Sequence, residues 1–348
     1  MLWLQFLTPS LFAADSVLNP YRTAIQARFA EAEQSKSIVV QGTKPWLFFT
    51  PELRALTVGP FWGPDAAGIS RTTNPLFADP LAPIVDFNDQ LKLEGIELLL
   101  VPVPAKAAIY PELLIPGVKS DVGNTRIDST HTQFYKLLQQ RGVKVLDLQS
   151  DFLKQKRSPE DPLFCRTDSH WSGRGTQVAA EAIGTQIKLQ PWYQQLRASD
   201  KFERGSVRVE PLMLQIKGDL AILENEQQPA EETLELSKCL SVNDGQKRLI
   251  PTVTDSPVLL LGDSHTLVFH DPALFAEGCG LADHLARVLE LRLDLIGVRG
   301  SGANAARISW RRRPDPLKGK KLVIWCFSMR EFTENTDGWK KIPIKRPQ

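Results

Sequence analysis

Three residues of the chain are of types that together could do nucleophilic chemistry at a serine. Asp168 and His170 stand two residues apart in RTDSHWS, and Ser264 closes the run LLLGDS 94 positions beyond His170. A serine hydroxyl is a weak nucleophile at neutral pH, so it needs a base within hydrogen-bond reach. That base needs a third group to fix its tautomer and stabilise the imidazolium. In an irregular loop, residues i and i+2 can both turn toward one cleft, so Asp168 could accept from one imidazole nitrogen while the other faces Ser264. Taken singly, Gly-Asp-Ser is ordinary turn chemistry and DSHW is a capped helix entry with a packed tryptophan. Their joint presence on an α/β chain is what points to a Ser-His-Asp site.

Such a site needs a scaffold, and the surrounding pattern supplies one. PVLLLGDS, LRLDLIGV and KLVIWCF are continuous apolar runs of the kind expected for parallel strands buried on both faces. Ser264 then lies just beyond the carboxyl end of a strand, where open α/β sheets gather their functional groups. Upstream, a helix over residues 19–36 precedes a strand pair in SIVVQGTKPWLFFTPEL, and PIVDFNDQLKLEG followed by ELLLVPVPA gives helix then strand. RIDSTHTQFYKLLQQRG and VKVLDL repeat that order, and Ser172 is placed to cap a helix with Val178, Ala179, Ala182, Ile183 and Ile187 on its apolar face.

The polar stretch 191–256 interrupts the alternation with short β-like pieces, SVRVEPLMLQI and GDLAIL, and a loose ENEQQPAEET. The expected organisation is an N-terminal arm and helix (1–36), a doubly wound α/β domain (37–335) carrying an irregular β-rich insertion at about 191–256, and a C-terminal tail (336–348).

Composition excludes some functions. With a net charge of +2 and 24% charged residues, the chain has no electrostatic footprint for nucleic acid. The four cysteines form no CxxC pair, which argues against a structural zinc site, and only Cys239 and Cys279 are placed where one disulfide is feasible. The apolar MLWLQFLTPSLFAA at the N-terminus suggests either an export signal lacking its basic flank or an arm docked on the core.

GDSH resembles the serine-bearing first block of SGNH (GDSL-like) hydrolases, and TDSHWSGRGTQVAAEAI resembles the TDTHW-type segment of the SGNH-like alginate O-acetylation proteins, the AlgX/AlgJ family. KPWLFFTPEL, LLLVPVPAKAAIYPELL, GVKVLDL, KGDLAIL and VIWCFSMREF are similar to further segments of that family, in order. Ordinary SGNH hydrolases place an Asp-x-x-His pair after the serine, whereas here Asp168 and His170 precede it, the permuted order of the AlgX/AlgJ group.

The resemblance implies an SGNH hydrolase-like, flavodoxin-like parallel sheet flanked by helices. It also implies Ser264 as nucleophile, His170 as general base and acid, Asp168 as orienting carboxylate, and acetyl transfer to an exported polysaccharide through an acetyl-serine, with no cofactor and no metal. Water as acceptor would make the protein an acetylesterase. A membrane-bound O-acyltransferase supplying acetyl groups and a periplasmic or secreted location, with membrane anchoring through the N-terminus an option, follow from the same resemblance.

Secondary assignments are the backbone N–H of Ser264 with Gly302 and Asn304 of GSGANAAR for the oxyanion, and Trp171, Lys106, Tyr110, His265 and Arg330 for substrate. His131, His270 and His284 belong to no motif. Two rivals remain: a metallophosphoesterase-like hydrolase, which would use DSH and GDSH as metal blocks but lacks that family's further motifs, and a non-catalytic polysaccharide-binding scaffold on the same fold.

Overall fold

The computed structural model describes residues 20–117, 126–199 and 207–345; the apolar N-terminal arm lies outside them. A five-stranded parallel sheet in the order β4-β3-β10-β8-β9 forms the centre. Its strands are β3 (Glu97–Val103), β4 (Lys144–Val145), β8 (Val258–Gly262), β9 (Asp294–Gly297) and β10 (Leu322–Ser328). Every residue of β8 and β10 is buried, which is what their unbroken apolar runs require once helices cover both faces. The covering helices include α3 (Leu81–Leu93), α4 (Ser129–Gln140), α5 (Leu148–Gln155), α6 (Gly173–Lys188), α9 (Leu281–Leu289) and α10 (Ala305–Arg311). Ser172 caps α6 by accepting from Gly175 N–H at 3.2 Å.

At the start of the described chain, α1 (Pro20–Ser35) leads into the antiparallel pair β1 (Val39–Gln41) and β2 (Leu47–Phe49), and α2 (Thr50–Thr57) follows. Between α6 and β8 the chain leaves the central sheet. Within this stretch α7 (Pro191–Ala198) still belongs to the helical layer, because the Tyr193 hydroxyl donates to the Leu289 carbonyl of α9 at 2.8 Å. An antiparallel sheet then forms from β5 (Val207–Lys217), β6 (Glu231–Asn243) and β7 (Gln246–Leu249), in the order β5-β6-β7.

GDLAIL, expected to be β-like, is instead a short helix, α8 (Asp219–Glu224), between β5 and β6. Leu220 and Ala221 pack with Val39 and Leu47 of the β1–β2 pair, so tertiary docking decides the conformation of a six-residue segment. The described residues beyond 335 also pack on the core: Trp339 is buried and lies nearly parallel to Phe332, with ring centroids 5.7 Å apart.

Candidate active site

Ser264 opens a 3-10 turn immediately after β8. Gly262 allows this turn to approach β10 closely, since a Cβ there would lie 1.8 Å from the carbonyl oxygen of Cys326. Asp263 fixes the turn from within. Its Oδ1 accepts from His265 N–H at 2.9 Å and its Oδ2 accepts from Ser328 N–H at the end of β10 at 2.8 Å. Burial alone would raise this carboxyl; the charge and hydrogen bond of His265, with Arg330, hold it well below the usual carboxylate range. Ser264 itself is 9% exposed, the remaining opening being toward solvent.

His170 and Asp168 come from a hairpin-like loop closed at its base by Ser172 N–H to Leu163 C=O (3.0 Å) and Cys165 N–H to His170 C=O (3.1 Å). The structure brings the three residues named from sequence into one hydrogen-bonded chain. His170 Nε2 lies 2.7 Å from Ser264 Oγ, and His170 Nδ1 lies 2.7 Å from Asp168 Oδ1. Asp168 Oδ1 also accepts from His170 N–H at 2.9 Å, and Oδ2 accepts from Asp219 N–H at 2.7 Å. Burial would lower the His170 pKa, but attraction and hydrogen bonding to Asp168, with Asp219 adding to them, leave it raised above the ordinary histidine value. The imidazole is thus a strengthened base aimed at a serine hydroxyl, an arrangement suited to nucleophilic attack by oxygen.

Other assignments need correction. Lys106 is 1% exposed and cannot reach a substrate; its ammonium donates to the backbone carbonyls of Leu47 (2.8 Å), Asp168 (2.6 Å) and Arg166 (3.4 Å). Tyr110 is buried, and its hydroxyl accepts from Leu163 N–H at 2.9 Å, bracing the base of the loop instead of a ligand. Trp171 is 0% exposed and meets His265 edge-on at 5.3 Å between ring centroids, so it is a core residue behind the site. His265 is buried against both Trp171 and His170, with its pKa lowered chiefly by burial.

Asn304 does not offer its amide to the site: Nδ2 donates to Gly338 C=O at 2.5 Å, and Oδ1 accepts from Lys340 N–H at 3.2 Å, which ties down the C-terminal segment. Gly302 does lie beside the serine turn, where an added Cβ would be 3.1 Å from Asp263 N. Arg330 keeps 16% of its side chain exposed while donating to Glu52 Oε1 at 2.8 Å and Ser328 Oγ at 2.9 Å. All four cysteines are free and buried, so the feasible Cys239–Cys279 bridge is not formed.

Several residues here were not singled out from the sequence. Glu232 of β6 accepts from Arg166 N–H (2.9 Å), Thr167 N–H (2.9 Å) and Thr167 Oγ1 (2.7 Å), holding the loop from the insertion side. Its signal was available: in EETLEL, Glu232 shares the inward face with Leu234 and Leu236, and a carboxylate on that face needs buried donors. Asp168, His170 and Asp219 bring potential metal ligands within 4.8 Å of one another. Yet both oxygens of Asp168 accept protein N–H groups, and Asp219 accepts from Ser169 N–H (2.6 Å) and Oγ (2.5 Å), so protein donors already occupy these carboxylates.

Glu331 is a further buried acid near the site, raised to about 8 by burial, with the charge of Asp263 adding. A group whose folded pKa is raised contributes stability below its unfolded pKa and loses it as pH rises through the folded value. Glu331→Gln is therefore expected to gain on the wild type between about pH 5 and pH 9, by roughly 3–5 kcal/mol at the upper end. Melting temperatures of both proteins across that range check it; a constant difference would show that the carboxyl does not titrate there.

The parallel sheet, with its site at the carboxyl edge, is that of an SGNH hydrolase-like domain. Residues 39–329 match the family model described as "SGNH hydrolase-like domain, acetyltransferase AlgX", and the chain belongs to that family. Among curated proteins it is similar to probable alginate O-acetylase AlgJ of Pseudomonas syringae pv. tomato (30% identical over 151 residues, 43% of this chain and 33% of that protein). The same protein of Pseudomonas putida is 31% identical over 156 residues, 44% of this chain and 34% of the relative. The chain thus matches about a third of the length of these relatives. Among solved structures, the fold is shared with the O-acetyltransferase domain of P. putida AlgJ (TM-score 0.62, 23% identity, 86% of this chain and 93% of that one). It is also shared with P. aeruginosa AlgX (TM-score 0.60, 16% identity, 85% and 64%).

Proposed function

We propose that this protein O-acetylates a polysaccharide by a double displacement on Ser264. The observation that carries the reading is the continuous hydrogen-bonded line from Asp168 through His170 to Ser264 Oγ. In the first half-reaction His170 Nε2 takes the hydroxyl proton as Ser264 Oγ bonds to the donor's acetyl carbon. The leaving group departs with that proton and an acetyl-serine remains. In the second, a sugar hydroxyl gives its proton to His170 and attacks the acetyl carbon, and Ser264 recovers the proton. Asp168 keeps Nδ1 protonated and stabilises the imidazolium in both halves. Ser264 N–H and Gly302 N–H are the proposed oxyanion donors. Among the described residues neither has an intramolecular acceptor, and Gly302 packs beside Asp263.

The acceptor we infer is an exported, alginate-like uronate polymer. The family and the relatives' description as alginate O-acetylases support a polysaccharide, and the partly exposed Arg330 guanidinium suits a carboxylate-bearing sugar. We infer too that acetyl groups come through a membrane-bound O-acyltransferase and that the protein works in the periplasm or outside the cell. No helix among the described residues is long and apolar enough to cross a membrane.

Incubating the protein with an activated acetyl ester and a deacetylated uronate polymer should transfer acetyl groups to the polymer in preference to water, with an acetyl adduct on the Ser264 peptide when turnover is quenched. Release of acetate alone at saturating polymer would make it an acetylesterase, and no adduct would end the acetyl-serine route.

A further inference from the structure

The mechanism leaves unused a half-buried acid that touches the catalytic loop from the insertion. Asp219 begins α8, directly after β5 ends at Lys217 and the chain turns at Gly218. Its N–H holds Asp168 Oδ2 at 2.7 Å, the oxygen not facing His170. Its carboxylate holds Ser169, the residue between the acid and the base, through N–H at 2.6 Å and Oγ at 2.5 Å. Gly218 makes this fit possible, since a Cβ there would sit 2.2 Å from Thr167 O and 2.7 Å from Asp168 N. Ala221 N–H completes the junction by donating to Thr167 C=O at 3.0 Å. The Gly-Asp turn is therefore laid flat along the backbone of residues 167–169.

We propose that Asp219 is a positioning residue for the acetyl-transfer reaction, through which the insertion both orients the Asp168 carboxylate and adds negative charge behind the catalytic imidazole. This inference rests on the Ser-His-Asp reading above and extends it: the antiparallel insertion is a working part of the site and not an appended lobe. A carboxylate that accepts only backbone N–H and hydroxyl donors keeps its full charge close to His170 when ionised. The charged and titratable groups facing His170 are Asp168 and Asp219, which raise its proton affinity, and Arg330 and His265, of which Arg330 lowers it. Burial raises the Asp219 carboxyl above its usual value; of the groups facing it, Asp168 adds to that rise and His170 opposes it.

The test compares Asp219→Asn, Asp219→Ala and Ser264→Ala for acetyl turnover across pH in the full chain. Asparagine keeps an acceptor for Ser169 and the backbone N–H for Asp168 but removes the charge. It should move the acid limb of kcat/KM to lower pH by roughly half a unit or more. Alanine also frees Ser169 and should lower kcat by roughly ten- to a hundredfold at a neutral plateau, with KM for the polymer little changed. If Asp219→Ala fails to fold, the pH limb of Asp219→Asn decides alone. A wild-type acid limb in Asp219→Asn, with Ser264→Ala inactive, overturns the role of Asp219 and leaves the nucleophile in place. Turnover persisting in Ser264→Ala overturns the underlying reading instead.

Discussion

Ser264→Ala is expected to lower kcat/KM for acetyl turnover by about 10⁴-fold or more while leaving polymer binding and the fold intact. The loss is large because the proposed mechanism forms its acyl bond on this hydroxyl. It is clean because the substitution removes one oxygen, which is hydrogen-bonded to His170 Nε2. The Asp263 carboxylate that shapes the turn uses the backbone N–H groups of His265 and Ser328, neither of which depends on the serine side chain. Asp168→Asn should cost a similar factor by a different route, since an amide facing Nδ1 favours the tautomer that leaves Nε2 protonated and unable to take the Ser264 proton. Because the three residues act as a unit, the double variant Ser264→Ala/His170→Ala should be little worse than either single change. Turnover by Ser264→Ala within tenfold of the wild type would place the nucleophile elsewhere.

These residues could be read from sequence because each lies at a local landmark. Ser264 follows a buried parallel strand, whose apolar run is legible since burial on both faces forbids polar interruption. His170 and Asp168 precede a helix marked by its Ser172 cap. Glu232 apart, the supporting residues obey no local rule. Lys106 carries a charge and follows a strand that ends at the cleft, so its type suggests a substrate contact; only the tertiary arrangement shows three carbonyl oxygens from two distant segments converging on its ammonium. Trp171 and His265 likewise flank the reacting groups in sequence but turn inward, against each other.

GDLAIL was visible as a segment resembling the family, yet its helix and the reach of Asp219 to Asp168 depend on docking 51 positions away in the chain. Local pattern reports burial and period. It does not report which distant backbone groups must be satisfied.

That distinction gives Lys106 its own expected result. Lys106→Met, which keeps a side chain of similar length but removes the ammonium that lies over the Phe48 ring, should destabilise the protein by about 3–5 kcal/mol at neutral pH. The ammonium is fully buried and its pKa is lowered, burial being the largest cause and nearby acids, Glu232 first among them, opposing it. Removing it spares the cost of burying a cation but leaves the Leu47 and Asp168 carbonyls without that donor in a buried place, while the Arg166 carbonyl keeps Leu47 N–H at 2.9 Å. It also withdraws the positive charge that balances Glu232 and Glu52. An unpartnered buried acceptor loses its full hydration, so the penalty outweighs the relief.

Lys106→Gln, with two donors on a shorter chain, should recover part of the loss. Urea unfolding measures both: a lower midpoint at unchanged slope is the expected signature. Activity should fall further than the folded fraction explains, because the freed Asp168 carbonyl belongs to the residue that orients His170. A variant within about 1 kcal/mol of the wild type, with normal kcat, would mean that the loop holds its geometry without the Lys106 ammonium.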